Sequence, residues 1–199
     1  MSGLCTLGGL ASLQREIRKS RFLAQAFPLR DPEQALAHIA GIGDALATHN
    51  CWAYRIGQQY RFSDDGEPGG TAGRPILQAI EAQHCDQVAV VVTRWYGGIK
   101  LGAGGLARAY GGCAAECLRL AARVPIIDSV ELKVGCEFAA LPVLQARLGD
   151  FCAEKLSESF DAAGARLQLR VPRDHAGALS DFLRDLSRGR ATVEIGEIE

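Results

Sequence analysis

The sequence has no CxxC pair, no apolar run near the ~18 residues of a membrane span, and almost no net charge. Its 199 residues carry 22 Lys and Arg against 23 Asp and Glu, for a formal charge of −1. Each absence excludes something. Without a long apolar run, no membrane association is expected. The first 19 residues, MSGLCTLGGLASLQREIRK, lack the basic opening of a signal peptide, and read as a weakly ordered leader on a cytoplasmic protein. Without a global basic field, nucleic-acid binding would need a local patch. Seven cysteines at scattered positions, an odd number, argue against a disulfide framework. Cys113 and Cys117 lie four apart on an expected helix, but no second Cys/His pair stands near them to complete a zinc set. Buried, reduced thiols are the expectation. Also absent are a P-loop, a GxGxxG fingerprint and the spacing of an EF-hand.

What is present is an ordinary globular composition, 48% hydrophobic and 23% charged, long enough for two small domains. The composition changes near 124–130. Residues 1–130 carry a net charge of +2 and residues 131–199 a net charge of −3. In the second half, 131–138 alternates like a strand and 140–151 has leucines at helical spacing. Strands at 154–160 and 165–171 follow, then a helix that Asp174 would N-cap and that runs to about Ser187, then a strand over 191–198. That βαββαβ order predicts a ferredoxin-like domain over 130–199.

The first half reads as α/β, over 15–125. One or two strands are expected in 15–29. Asp31-Pro32-Glu33 marks a helix start, with the helix running to about Thr48. Strands over 51–57 and 59–62, a helix over 75–83 and a doubly buried strand over 86–94 come next. A loop over 95–105 leads into an Ala-rich helix over 106–122. Gly111 and Gly112 inside it cost about 1 kcal/mol each against Ala, which a close helix–sheet contact would rationalise.

Two loops hold the residues suited to chemistry. The first, FSDDGEPGGTAGRP (62–75), mixes Asp64, Asp65 and Glu67 with four glycines and two prolines. No helix or central strand tolerates that mixture. Its acids suit a Mg²⁺ ion, which prefers oxygen ligands. Equally, they suit capping of the turn and the helix beyond it, or pairing with Arg74 or Arg94, or general acid/base work. The second loop follows Arg94 and holds Gly97, Gly98, Lys100, Gly102, Gly104 and Gly105, with Arg108 on the helix it opens into. Open N–H groups at a helix start favour an anion, and Arg94, Lys100 and Arg108 would add charge. The alternative is a tight strand-to-helix connection with glycine where φ is positive. His49-Asn50-Cys51 holds a His and a Cys on one strand face. A buried Cys beside a hydrogen-bonded His is favoured over a nucleophile. Trp52, Tyr54, Tyr60, Phe62, Trp95 and Tyr96 flank these loops, as packing or as base-stacking surfaces.

Taken in order, KSRF (19–22), HNCWAYRIG (49–57), FSDDGEPGGTAGRPIL (62–77) and VVTRWYGGIKLGAGGLARAYG (91–111) resemble the YigZ/IMPACT family in its bacterial two-domain form. The resemblance covers about 15–199 and is densest over 49–111. Trp95-Tyr96 stands where the family commonly has Tyr-Phe, which keeps the aromatic character. The resemblance implies an α+β or α/β two-domain protein. Its N-terminal domain would be like the left-handed βαβ fold of small-subunit ribosomal proteins, elongation factor G and the GHMP kinases. Its C-terminal domain would be like the last domain of elongation factor G. Eukaryotic relatives regulate translation initiation through a partner protein that does not carry over to this sequence.

These implications, with the two loops, give the expected function: a non-catalytic, translation-linked regulator that binds RNA, the ribosome or a translation-associated protein. Arg15, Arg18, Lys19 and Arg21, or Arg184, Arg188 and Arg190, are the basic strips that would serve it. The alternative is a phosphate- or nucleotide-binding protein or enzyme that uses loops 64–73 and 97–105 as two walls of one cleft. A docking module built on the ferredoxin-like domain is a third. No cofactor is required by the pattern, with Mg²⁺ on Asp64, Asp65 and Glu67 the one candidate.

Overall fold

In the computed structural model, which describes residues 3–196, the chain divides into two compact units between Ile126 and Ile127. The first unit is built on β6 (Val88–Trp95). VAVVVTRW has no polar alternation because both of its faces are covered. Val88, Val90 and Val92 join one core and Ala89 and Val91 another. Around it run β2 (Ala11–Ile17), β3 (Ser20–Pro28), β4 (His49–Ile56) and β5 (Gln59–Ser63). The sheet order is β2-β3-β6-β4-β5, antiparallel at every pairing. Helix α1 (Ala35–Ile42) covers one face, through Ala35 and Ile39. Helices α2 (Gly73–Ala82) and α3 (Ala103–Leu120) cover the other.

Several sequence expectations need correction here. The leader before residue 15 is strand: β1 (Cys5–Leu7) pairs with β7 (Arg123–Pro125), and β2 begins at Ala11. The helix expected to reach Thr48 stops at Ile42, where the chain turns extended at Gly43. Asp31 still caps its approach, accepting from the Glu33 N–H at 2.8 Å. α3 starts three residues earlier than expected, inside the glycine run. Gly111 makes a helix–helix contact rather than a helix–sheet one. A Cβ there would lie 3.3 Å from Pro75 of α2, and one at Gly112 would meet nothing.

The second unit reads as its sequence pattern does. β8 (Ser129–Cys136), α4 (Leu141–Arg147), β9 (Glu154–Phe160), β10 (Ala165–Pro172), α5 (Arg173–Ser187) and β11 (Thr192–Gly196) run in βαββαβ order. A 3₁₀ turn over Leu148–Phe151 replaces the last turn of the expected first helix. The sheet order is β11-β8-β10-β9. Inward residues such as Leu132, Val134, Leu167 and Leu169 pack with Leu144, Leu179 and Leu183 of the helices. Outward ones, Lys133, Gly135, Arg166 and Gln168, stay more open. Asp174 lies inside the first turn of α5 rather than at its N-cap, which is Pro172. The end of the last expected strand, 197–198, lies outside the described residues.

Candidate functional site

The acidic loop divides its carboxylates among three different tasks. Asp64 is spent on the backbone. Its Oδ1 accepts from the Ala72 and Gly73 N–H groups at 2.9 and 2.8 Å, and its Oδ2 from Gly70 at 2.8 Å. It thereby closes the loop and caps α2, whose start presses on β5. A Cβ at Gly73 would lie 2.6 Å from the Ser63 carbonyl. Burial alone would raise the Asp64 pKa, but the three N–H donors outweigh it and hold the carboxyl below its usual value. Asp65, at φ +40°, turns its side chain to β4 and accepts from the Asn50 N–H at 2.5 Å.

Glu67 points inward. It accepts from Arg94 Nη1 at 2.5 Å and from the Tyr110 hydroxyl at 2.7 Å, and His49 Nε2 stands 3.8 Å away. The side chains of Glu67 and Arg94 are only 4% and 5% exposed, so the pair is held within protein. The strand period explains why. Arg94 follows Val88, Val90 and Val92 on the face of β6 that α2 and α3 cover, and α3 carries Tyr110 over that face. Arg94 also reaches Ser20 Oγ at 3.3 Å, while its Nε has no partner. Its guanidinium carbon lies 5.6 Å from the Phe22 ring and 5.3 Å from the Tyr96 ring.

No activated nucleophile emerges from this cluster. Burial pushes the Cys51 thiol up to about 12. The Tyr110 hydroxyl works against that shift, and the carboxylates of Glu67, Asp65 and Asp64 reinforce it. Cys51 donates to the Asp64 carbonyl at 3.0 Å. Burial, then Cys51 and Glu67, push the Tyr110 pKa up as well. Burial thus favours the protonated form of both groups, and nothing beside Cys51 other than the Tyr110 hydroxyl stabilises a thiolate. His49 Nδ1 is 2.6 Å from the Asp65 carbonyl, which makes that nitrogen the N–H donor.

The glycine-rich loop closes on the first hairpin. A Cβ at Gly97 would fall onto the Lys19 carbonyl. Gly97 N–H donates to Ser20 Oγ at 3.2 Å, and Tyr96 N–H to Thr48 Oγ1 at 2.9 Å. Gly98 and Gly102 take φ of +85° and +73°, where a side chain would be strained. The hairpin turn holds Arg18 and Lys19, both at positive φ, as tight hairpin turns require. Arg21 stacks over the Trp95 ring at 3.8 Å. Beyond the loop, α3 begins with no side-chain cap and no acid in its first turn. The Arg108 guanidinium folds back to within 3.6 Å of where a Gly104 Cβ would stand.

The expected site is thus split. Glu67 and Arg94 meet, but as a mutually neutralising internal pair rather than as opposite walls of a cleft. Arg74, Lys100 and Arg108 are exposed, and among the described residues they make no ion pair. Gly104 and Gly105 lie in the first turn of α3, and Gly105 packs on Leu101. Asp64, Asp65 and Glu67 do not converge, and the described residues hold no group of three or more His, Cys, Asp or Glu able to bind a metal ion. Sequence reasoning missed Tyr110. Its one signal was its place on the apolar stripe of α3 with Leu106, Cys113 and Cys117.

The fold is a mixed α/β protein of two units, with the signature loops gathered on the first. The comparisons agree on its class. Residues 18–118 match the Impact N-terminal domain and residues 134–190 the Domain of unknown function (DUF1949). An IMPACT family member from Thermus thermophilus is 49% identical over 179 residues, 89% of this chain and 99% of that protein. The IMPACT family member YigZ of Escherichia coli is 36% identical, over 87% of this chain and 88% of its own. Protein IMPACT of Mus musculus matches only 43% of this chain and 29% of its own length, at 41% identity. A crystal structure described as that of a hypothetical protein covers the whole chain at 32% identity with a TM-score of 0.65. The chain belongs to the IMPACT family. Among the described residues no helix is long and apolar enough to cross a membrane.

Proposed function

We propose that this chain is a non-catalytic, translation-linked regulator that acts in the cytoplasm by docking on RNA, as free strands or within the ribosome. The observation that carries this reading is the closure of Gly97 onto Lys19. It sets two cation-bearing loops side by side, Arg18 and Lys19 on one, with Arg21 on the strand that follows, and Lys100 on the other, next to the uncapped start of α3 with Arg108. Phosphate oxygens suit both the cations and the open N–H groups. The protonated Cys51 and Tyr110 favour binding over catalysis.

The second unit offers no platform for base contacts. Its βαββαβ order is that of ferredoxin-like domains, including the last domain of elongation factor G. The first unit is read as akin to the left-handed βαβ fold of ribosomal proteins and GHMP kinases. Among the described residues, the outward face of the second sheet carries Lys133, Arg166 and Arg170 interleaved with Glu131, Glu154 and Glu194, and no aromatic ring. The base-stacking platform of sheet-type RNA readers has no counterpart there.

The test is fluorescence anisotropy of a short single-stranded RNA at low and high salt, with the triple Lys19/Lys100/Arg108→Ala variant beside the unaltered chain. Arg94 is left intact because it is buried. Binding should weaken in the variant, and the slope of log K against log salt should become shallower by about 2 for three lost phosphate contacts. RNA binding that ignores both salt and the variant would remove this reading. The open helix start favours a second reading, a small phosphorylated ligand at the same loop. In that case nucleotides would shift Tm and RNA would not bind.

A further inference from the structure

The three residues of β1 are held from two sides. On one side Cys5, Thr6 and Leu7 pair with Pro125, Val124 and Arg123. On the other, Cys5 N–H donates to the His84 carbonyl at 3.0 Å and the Asp86 N–H donates to the Cys5 carbonyl at 2.8 Å. That pair of bonds is a parallel bridge between Cys5 and Cys85. Side chains of bridged residues emerge on the same face. The two sulfurs stand 3.8 Å apart, across 80 residues of sequence. Neighbouring strands lie about 4.8 Å apart, inside the roughly 4.4–6.8 Å span between Cα atoms that a disulfide accepts. Closing the gap needs side-chain rotation, with the backbone already in place.

The two thiols differ in access. Cys85 is fully buried, and Cys5 is half-buried at the surface end of the pair. We propose that Cys5 and Cys85 form a reversible redox site, in which a small-molecule disulfide oxidises the pair to an intramolecular disulfide. The Cys5 thiolate attacks one sulfur of the small disulfide, forming a mixed disulfide and releasing one small thiolate. The Cys85 thiolate then attacks the Cys5 sulfur, forming the internal bond and releasing the second. Two cysteine thiols are oxidised, one small disulfide is reduced to two thiols, and the two cysteine protons pass to the two leaving thiolates. Burial pushes the Cys85 thiol up to about 12, with Cys5 adding to the shift and Arg123 opposing it. The second step speeds up as pH rises and the Cys85 thiolate fraction grows.

The product ties the N-terminal strand to the turn between α2 and β6. That turn is rigid on its own account. Asp86 Oδ1 accepts from the Gly57 and Gln87 N–H groups at 2.8 and 2.7 Å, and the Gln87 carbonyl takes the Thr6 hydroxyl at 2.9 Å. Through β1, the bond also fixes β7, the last strand of the first unit. Closing so long a loop restricts the unfolded chain and stabilises the fold.

The full chain, incubated with oxidised glutathione, quenched with N-ethylmaleimide in denaturant and digested with trypsin, tests this. Arg74 precedes Pro75 and resists trypsin, so Cys5 and Cys85 fall on peptides 1–15 and 62–94, each with a single cysteine. The expected product is those two peptides linked, two fewer alkylated thiols, and a Tm raised by several degrees that dithiothreitol reverses. The exposed Cys152 serves as an internal control for simple glutathione addition. Cys5→Ser abolishes the linked species at a half-exposed position that tolerates the change. Cys85→Ala leaves Cys5 as a stable glutathione adduct. If the unaltered chain accumulates that adduct while Cys85 remains alkylated, or if only Cys152 reacts, the proposal is overturned.

Discussion

The two units set similar antiparallel sheets in different surroundings. In the first, helices cover both faces of the sheet, and β6 is buried from Val88 to Arg94. In the second, helices cover one face, and β10 alternates buried and exposed along its length. The polar consequences follow from that coverage. Among the described residues, the buried polar and charged side chains are Thr6, Ser20, Glu67, Thr71, Asp86, Thr93 and Arg94 in the first unit and only Ser187 in the second. The Arg184–Asp181 pair of the second unit is exposed on both sides, and among the described residues no ion pair there is buried on either. A charge that enters the first unit must be matched inside it, whereas water matches those of the second. The difference teaches that Glu67 of the acidic signature loop is invested in the interior of its unit, while Asp64 and Asp65 are spent on nearby backbone N–H groups.

The comparison can be broken most forcefully at Glu67. Glu67→Ala leaves Arg94 buried without its carboxylate, and breaking such a pair costs about 3–5 kcal/mol. Trp52 and Trp95, the two tryptophans of the chain, both lie in the first unit, so tryptophan fluorescence in urea reads that unit alone. Its midpoint should fall steeply. Gly97→Ala comes next. A methyl there meets the Lys19 carbonyl, so the loop must leave the hairpin at about 1–3 kcal/mol, and RNA affinity should drop with it. Unchanged fluorescence midpoints in either variant would erase the distinction between the units.

Asp64→Asn removes a charged acceptor of three N–H groups and should cost about 1–2 kcal/mol at neutral pH. The sign with pH is fixed. The folded pKa lies below the ordinary carboxyl value of 3.8, so near and below that pH the unfolded chain binds more protons. Asp64 then contributes fully above the unfolded value and loses its contribution as pH falls through the folded one. Unfolding curves of the two proteins should converge in that acid window. A constant gap would show that the charge is not what caps α2. The smallest effect is expected in the second unit. Arg184→Ala deletes an exposed pair and should stay within about 0.5 kcal/mol, as surface substitutions usually do. Far-UV circular dichroism checks it.

Much of this molecule was legible in its sequence. The alternation in 131–138 and 165–171 marks a sheet with one wet face, and the unbroken VAVVV run marks one without. The mixture of Gly, Pro and acids in 62–75 marks a loop, which the structure trims to 64–72 because β5 runs to Ser63 and α2 begins at Gly73. Other parts were hidden because they depend on distant partners. Residues 5–7 look like a leader, and become strand only because 123–125 and Cys85 lie beside them. Asp174 looks like a cap but falls one turn position inside α5. Three neighbouring carboxylates look like one metal site, and no local rule says that they part company.

Sequence by itself determined the βαββαβ order of the second unit, the family and the loop positions, because periodicity and backbone chemistry act over a few residues. Tertiary structure alone decided the rest. It sent Asp64 to a helix start, Asp65 to β4 and Glu67 to Arg94 and Tyr110. It also drew Lys19 to the glycine loop and Cys5 to Cys85. Those outcomes turn on which strands become neighbours and on how little water reaches a charge between them. Neither quantity is written in any short stretch of the chain.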